Sequence, residues 1–244
     1  MSQYLIFQLY APLVSWGEAA VGEVRHTSSI PSRSALLGLL AAALGIRRED
    51  EQRLGVFNQH YAFAIRPLSP REQWLRDYHT VQVPKENRKR RYYTRRDELI
   101  LSTDEPGTML TSREYRCDAL YHIAVRQTPE APFSLDEIAG ALSAPIFPLY
   151  LGRKSCPPAL PLNPLIFEGT LAEVFHKAYA DSSYCFLCEE LAAIRAPQLF
   201  CIWEGEHEGV SEFATQLRCD QPINRSRWQF KTRTQHTGYL TEEC

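Results

Sequence analysis

The chain has 244 residues, enough for one domain or for a main domain with a smaller appendage. Its formal net charge of -2, hydrophobic content of 44% and charged content of 23% are ordinary for a globular protein. The longest uncharged apolar run, residues 35–46, is too short to span a bilayer, and the N-terminus has no basic segment of a signal peptide. These features exclude a membrane-spanning helix and a secretory signal, and predict a cytoplasmic protein.

Hydrophobic patterning predicts alternating strands and helices over residues 1–165. Alternating or continuous apolar residues indicate the strands, and apolar runs that follow a capping serine indicate the helices. The predicted strands lie at residues 4–10, 60–66, 119–125 and 146–151, and the predicted helices at residues 34–46 and 134–142. Strand–helix–strand followed by strand–helix–strand is the order of a ferredoxin-like (RRM-like) domain, so the predicted fold class is α+β.

A long polar segment lies between the second and third predicted strands. Residues 77–116 lack a core-forming pattern, and an unstructured loop of this length is uncommon inside a domain. We predict that they form a protruding β-hairpin, which we call the arm. The ferredoxin-like domain would then comprise residues 1–165, with the arm inserted in it. Residues 166–244 would form a smaller, strand-rich C-terminal region.

Residues 85–96 concentrate positive charge within the arm. Seven of these twelve side chains are cationic, one is anionic, and Tyr92 and Tyr93 lie among them. Guanidinium groups beside aromatic rings suit single-stranded nucleic acid, because phosphates neutralise the charge and bases stack on the rings. A solvated basic loop is the alternative. Segments 16–26, 77–80 and 150–154 also combine turn residues with basic or aromatic side chains, and together these segments favour an RNA-binding surface.

Other chemistry has weaker signals. Cys185 and Cys188 have the spacing of zinc ligands, but no matching pair follows them, so we expect buried thiols, no metal ion and no cofactor.

A metal-independent ribonuclease needs a base, an acid and a cation. His26 or His79, with Tyr78 and Lys154, supplies these types, although their spacing does not bring them together.

Six segments of the chain match a known family when they are taken together: VSWG at 14–17, PSRSALLGLL at 31–40, LGI at 44–46, LRDYHTV at 75–81, REYRCDA at 113–119 and YLGRKSCP at 150–157. With these segments the chain resembles the CasD family, the RAMP-type subunits of type I-E CRISPR Cascade complexes. The segments occur in the same order as in the family. Two departures stand out: the arm tip at residues 85–106 is longer and more basic, and the family's glycine-rich turn is reduced to Gly152.

The resemblance implies a ferredoxin-like domain with a thumb hairpin and a non-catalytic role. A protein of this kind holds the 5′ handle of the crRNA and caps the backbone filament, beside the backbone subunit CasC and the large subunit CasA. It meets target DNA only through the assembled complex. Cleavage of the precursor RNA belongs to another subunit, CasE, although related proteins of another subtype cleave RNA themselves. An endoribonuclease that processes repeat RNA therefore stays the alternative.

The expected RNA contacts follow from the basic segments and from this resemblance. They surround the first helix, line the arm and complete a groove at the 150–154 turn. The predicted contact residues are Trp16, Arg25, His26, Arg33, Tyr78, His79, Arg90, Arg91, Tyr92, Tyr93, Arg95, Arg96, Arg113, Tyr115, Arg153 and Lys154. For Trp16 the alternative is a core position, for Arg33 a role at the helix start, and for Arg153 and Lys154 a plain surface turn.

Overall fold

A computed structural model describes residues 2–69, 73–84, 90–99, 106–185, 199–224 and 226–241 as helices packed on one large sheet. The strands are β1 (Ser2–Val14), β2 (Trp16–Gly17), β3 (Val24–Arg25), β4 (Thr27–Ser28), β5 (Tyr61–Pro67), β6 (Gln73–Pro84), β7 (Pro106–Gln127), β8 (Leu165–Gly169), β9 (Phe200–Trp203), β10 (Val210–Asn224) and β11 (Gln229–Leu240). The helices are α1 (Arg33–Ala43), α2 (Glu51–Phe57), α3 (Arg95–Leu99), α4 (Leu135–Ser143), α5 (Leu171–Ala180) and α6 (Ser182–Cys185). The predicted α+β class is confirmed.

The main sheet has the strand order β10-β11-β9-β5-β7-β1-β8, and these neighbours pair antiparallel. β6 and the short β3 also pair with β7, and the β3 pairing is parallel. β7 is therefore the organising strand. Its second half lies between β1 and β5, and its first half continues beyond them to pair with β6.

Both faces of the sheet are covered, which explains why β1 is apolar along most of its length. Alternate residues of a strand point to opposite faces. Leu5 and Phe7 belong to a core cluster that includes side chains of α1, α2 and α4. Tyr4 and Ile6 belong to a second cluster that includes side chains of α5. A strand buried on both faces needs a continuous apolar run, and the sequence of β1 supplies one.

Serine caps begin the two predicted helices, and both predictions are confirmed. Ser32 lies at the N-cap of α1, and its hydroxyl accepts from the backbone N–H of Ala35 at 3.2 Å. Ser134 caps α4 through a reciprocal capping box with Glu137. Among the helices that the structure describes, none is long and apolar enough to cross a membrane.

The strand predicted at residues 146–151 is wrong. Pro145 and Pro148 lack the N–H groups that a strand ladder requires. The backbone N–H groups of Ile146 and Phe147 instead donate to the last carbonyls of α1, at 3.0 Å and 3.2 Å. The strand that pairs with β1 at this edge of the sheet is β8, which begins only after the proline-rich segment.

A buried ion cluster joins the C-terminal strands to α1. The side chain of Arg33 contacts Glu204, and its backbone N–H donates to Asp220 at 2.8 Å. Arg233 of β11 binds the same Asp220 through two hydrogen bonds of 2.6 Å and 2.9 Å, and lies 3.6 Å from Glu204. All four side chains are at most 13% exposed. Two cations therefore balance two anions away from solvent.

The half-buried ring of His207 makes the stability of the fold depend on pH. Tyr4 donates to its Nδ1 at 2.8 Å and its Nε2 lies 2.9 Å from the Glu204 carbonyl, which suits a neutral ring. Burial, with the nearby Arg126 charge, lowers the pKa of His207 from 6.5 to about 4. The unfolded chain therefore binds more protons between these values, so stability is complete above pH 6.5 and falls as the pH drops towards about 4.

We expect the His207→Gln variant to lose this part of the pH dependence. At pH 7 the variant is less stable, but the difference from the parent chain should narrow by about 1–3 kcal/mol at acidic pH. Urea unfolding at a series of pH values measures the difference. Parallel stability profiles for the two chains would contradict the assignment.

Candidate nucleic-acid interface

The arm is a two-stranded ladder that extends from the central strand of the fold. β6 and β7 pair from Gln73 opposite Cys117 to Pro84 opposite Pro106. From Cys117 onwards β7 pairs with β1 inside the sheet. Because one continuous strand runs from the core into the arm, the base of the arm has a fixed direction relative to the core.

Strand alternation divides the arm into two faces. The His26 face carries Trp74, Arg76 and Tyr78 of β6 with Glu114 of β7, and His26 reaches it from the segment after β3. The Arg113 face carries His79 of β6 with Arg113 and Tyr115 of β7. Arg25 is the register partner of Arg113 across the parallel β3 pairing, so it lies on that face too. Tyr78 and His79, adjacent in sequence, therefore point to opposite sides.

A buried carboxylate organises the His26 face. Glu114 is 4% exposed, and it accepts from Arg76 at 2.6 Å while its other oxygen lies 3.1 Å from Nδ1 of His26. Burial raises the pKa of Glu114, but the hydrogen bonds of Arg76 and His26 outweigh burial, and the pKa is lower than its ordinary value. Glu114 is thus an anion that holds two partly exposed cationic or titratable groups. Next to them, Tyr78 is 71% exposed.

The Arg113 face is completed by the turn that follows α4. Arg153 lies 4.6 Å from the centroid of the Tyr115 ring and contacts the Arg25 carbonyl at 3.4 Å. Gly152 holds the turn in place: its φ is +86°, and a side chain there would overlap the carbonyl oxygen of Ser15. A glycine is therefore required for this turn to approach the backbone so closely. The result brings three arginines, at 25, 113 and 153, to one side of the arm base.

The distal part of the arm presents further basic and aromatic side chains. Arg95 contacts Glu98 and the carbonyl of Gln82, which fastens α3 to β6. Tyr93 is 83% exposed, and Arg91 and Arg96 are exposed as well. Residues 85–89 of the basic segment lie outside the described residues.

A family model described as CRISPR-associated protein (Cas_Cas5) matches residues 4–236. The chain belongs to the Cas5 family. The resemblance seen in the sequence is therefore confirmed at the level of the family, and the match reaches far into the C-terminal region.

Two kinds of relative support this membership. The chain is 38% identical over 169 residues to the "CRISPR system Cascade subunit CasD" of Escherichia coli strain K12, a match that covers 66% of this chain and 70% of that protein. A chain of a solved "CRISPR RNA-guided surveillance complex" is 25% identical, with a TM-score of 0.61 over 98% of this chain and 90% of the other. A solved "Cas protein" is 27% identical, with a TM-score of 0.56 over 98% and 95%.

Three predicted contacts lie inside this Cas5 fold. Trp16 is 2% exposed and its indole N–H donates to the hydroxyl of Tyr121 at 3.2 Å, so its side chain packs in the core. Arg33 is 6% exposed and belongs to the ion cluster with Glu204. Tyr115 is 9% exposed beneath Arg153. Trp16 and Arg33 are therefore parts of the core and of the ion cluster, and Tyr115 packs beneath Arg153.

The residues of the ribonuclease alternative are not brought together. Tyr78 lies on the His26 face and His79 on the Arg113 face, so these two side chains cannot address one phosphate in the manner of an acid and a base. His26 shares its face with Tyr78 and is held there by Glu114, but the turn that carries Lys154 completes the opposite, Arg113 face. Within the described ranges, no three His, Cys, Asp or Glu side chains converge as metal ligands. Cys188, one of the two cysteines with the spacing of zinc ligands, lies outside these ranges.

Sequence reasoning missed the role of Glu114, Arg76 and Trp74. Trp74 is 51% exposed and its ring lies 3.6 Å from the guanidinium carbon of Arg116. The missing signal is the register of β6 against β7, which puts Arg76 opposite Glu114 and Trp74 opposite Arg116. The alternation of residues within β6 shows which side chains share a face of the arm, but it does not show which residues of β7 they meet.

Proposed function

We propose that this Cas5 protein is the non-catalytic crRNA-holding subunit of a type I-E CRISPR surveillance complex. In this role it binds the 5′ handle of the crRNA and caps the backbone filament during interference with target DNA. The observation that carries the proposal is the arm itself: a β-ladder continuous with the central strand, with cationic and aromatic side chains on both faces.

The strand arrangement supports a ferredoxin-like unit with a thumb. The order β8-β1-β7-β5 places the first and third strands of this unit at its centre, as the βαββαβ pattern requires. The arm would serve as the thumb of a domain whose end is predicted from the sequence at residue 165. Because β8 completes this unit, we place the end of the domain at residue 169, with residues 170–244 as the smaller C-terminal region. β9 and β11 extend the same sheet beyond β5.

The proposed RNA contacts place cationic and aromatic side chains along the arm, from its base to its distal part. Phosphates suit the arginines of the Arg113 face, and bases suit exposed rings such as those of Tyr78 and Tyr93. The proposed contact set is Arg25, His26, Tyr78, His79, Arg90, Arg91, Tyr92, Tyr93, Arg95, Arg96, Arg113, Arg153 and Lys154.

Exposed apolar side chains on the arm support protein partners as well as RNA. Leu75, Met109 and Leu110 are 44%, 50% and 48% exposed. They belong to strands that also carry the RNA contacts, so a subunit packed on the arm would cover them and exclude water from the RNA. In the proposed assembly these partners are the backbone subunit CasC and the large subunit CasA, and target DNA is met through the complex in the cytoplasm.

The salt dependence of RNA binding tests the proposal. Each phosphate neutralised on a single strand contributes about -0.7 to the slope of log K against log salt. Replacing Arg91 and Arg96 with Ala is therefore expected to make the slope shallower by about 1.4. Fluorescence anisotropy of labelled handle RNA in increasing KCl measures the slope for both chains.

A matched control distinguishes arm contacts from a change in overall charge. The Lys177→Ala/Arg218→Ala variant loses the same charge in the C-terminal half, and its slope is expected to equal that of the parent chain. Equal slopes for the arm variant and the parent chain would refute the phosphate contacts of the arm.

A further inference from the structure

Trp228 lies exposed at the tip of the β10–β11 hairpin, in a backbone conformation that such a residue rarely adopts. Its φ is +52° and its side chain is 61% exposed. A bulky residue with positive φ is an outlier that must be held by its surroundings, and such strain is concentrated at functional sites. Exposed aromatic surface and backbone strain therefore coincide at one residue outside the arm.

The turn that carries Trp228 is held by a carboxylate from another element. Glu51, at the start of α2, accepts from the Asn224 side chain at 2.8 Å and from the Ser226 backbone N–H at 3.2 Å. Asn224 in turn accepts from the Arg227 N–H at 2.8 Å. These bonds fix the tip before any ligand arrives, so a ring displayed there loses little conformational freedom on binding.

One arginine contacts this ring, and other arginines lie in the two segments that meet here. The guanidinium carbon of Arg48, from the α1–α2 connection, lies 4.3 Å from the ring centroid of Trp228. The contacts of Glu51 bring the segment of residues 47–53 against the hairpin tip. Exposed arginines stand at 47, 48, 53 and 227. Of the nearby acids, Glu51 holds the turn and Asp50 caps the N–H of Arg53 at 3.1 Å, while Glu49 is exposed.

We propose that the Trp228 tip is a second binding site for single-stranded nucleic acid, separate from the arm. An unpaired base stacks on the indole ring, and Arg48 and Arg227 neutralise the flanking phosphates. A ring beside guanidinium groups suits any base, because every base has a π-face, so the site tolerates sequence. This inference does not depend on the crRNA role of the arm, since it rests on other residues.

Tryptophan fluorescence reports on this site directly. Trp16 and Trp203 are 2% and 3% exposed, so Trp74→Phe leaves Trp228 as the exposed indole of the chain. The variant used for the titration is full-length and also carries Arg91→Ala and Arg96→Ala, which weaken RNA binding by the arm. Titration with DNA and RNA oligonucleotides of about 10 nucleotides is expected to quench the emission to saturation. Inorganic polyphosphate, which has no bases, should not quench the emission.

Substitution of Trp228 separates stacking from a structural role. Trp228→Gly removes the ring at a position where glycine adopts the positive φ without strain, so the thermal unfolding midpoint should stay unchanged. Affinity measured by anisotropy should fall about 5- to 100-fold. Trp228→Asn, which also tolerates this conformation, is expected to behave alike and serves if the glycine variant unfolds more readily.

The outcomes decide between the site and its alternatives. Quenching by DNA alone or RNA alone supports the site and identifies the ligand. Absence of quenching by both oligonucleotides, or unchanged affinity in both Trp228 variants, overturns the proposal and leaves the tip as a surface for protein. A failure of the arm in the salt experiment leaves this result unaffected, because Trp74 of the arm is replaced and the quenching therefore reports on Trp228.

Discussion

Shortening the arm is expected to abolish stable incorporation of the chain into a crRNA-bound complex while leaving the sheet folded. The appropriate change replaces residues 84–106 with an Asn-Gly turn, because Val83 and Gly107 are register partners and this dipeptide favours a tight hairpin. A splice that removes one residue more from one strand than from the other would shift the register by one residue and exchange the two faces of that strand. The core pairings of β7 with β1 and β5 begin beyond the deletion, so the fold should persist.

Size-exclusion chromatography of co-expressed subunits, with circular dichroism of the shortened chain, measures both halves of this prediction. The Arg91→Ala/Arg96→Ala chain is the matched control. It retains the shape of the arm with less charge, and we expect it to co-elute with the complex. A folded, shortened chain that still co-elutes with full-length complex and crRNA would show that the distal arm is dispensable for assembly.

Elements with a local signal in the sequence could be predicted. Ser32 and Ser134 precede apolar runs and cap α1 and α4, since a hydroxyl that accepts from the first helical turn needs only its own neighbours. The arm followed from the absence of a core pattern. The prediction of a strand at 146–151 was wrong because it followed the apolar content of this segment. Pro145 and Pro148 lack the N–H groups of a strand ladder, and this prevents the strand.

The candidate site depended on pairings between distant parts of the chain. Glu114 is buried as an anion only because β6 supplies Arg76 and the segment after β3 supplies His26, 38 and 88 positions away. The sequence around Arg33 suggested an RNA contact, because the partners that bury its side chain and its N–H, Glu204 and Asp220, lie 171 and 187 positions away. A cation near a helix start is therefore ambiguous until the long-range sheet order is known.

Removing Asp220 from the ion cluster is expected to be strongly destabilising. Asp220→Ala leaves Arg33 and Arg233 buried with only Glu204 to balance them, and an uncompensated buried charge costs about 3–5 kcal/mol. Urea unfolding measures the loss. The exposed Glu130→Ala serves as the control, with an expected change within about 0.5 kcal/mol.

The loss of stability in Asp220→Ala should arise from the unpaired buried charge and not from the smaller volume of the alanine side chain. Removing Arg233 as well restores the balance of one cation and one anion. The double variant Asp220→Ala/Arg233→Ala is therefore expected to be less destabilised than the sum of its single variants, with a coupling of about 1–3 kcal/mol. Strict additivity would contradict an electrostatic link between these strands.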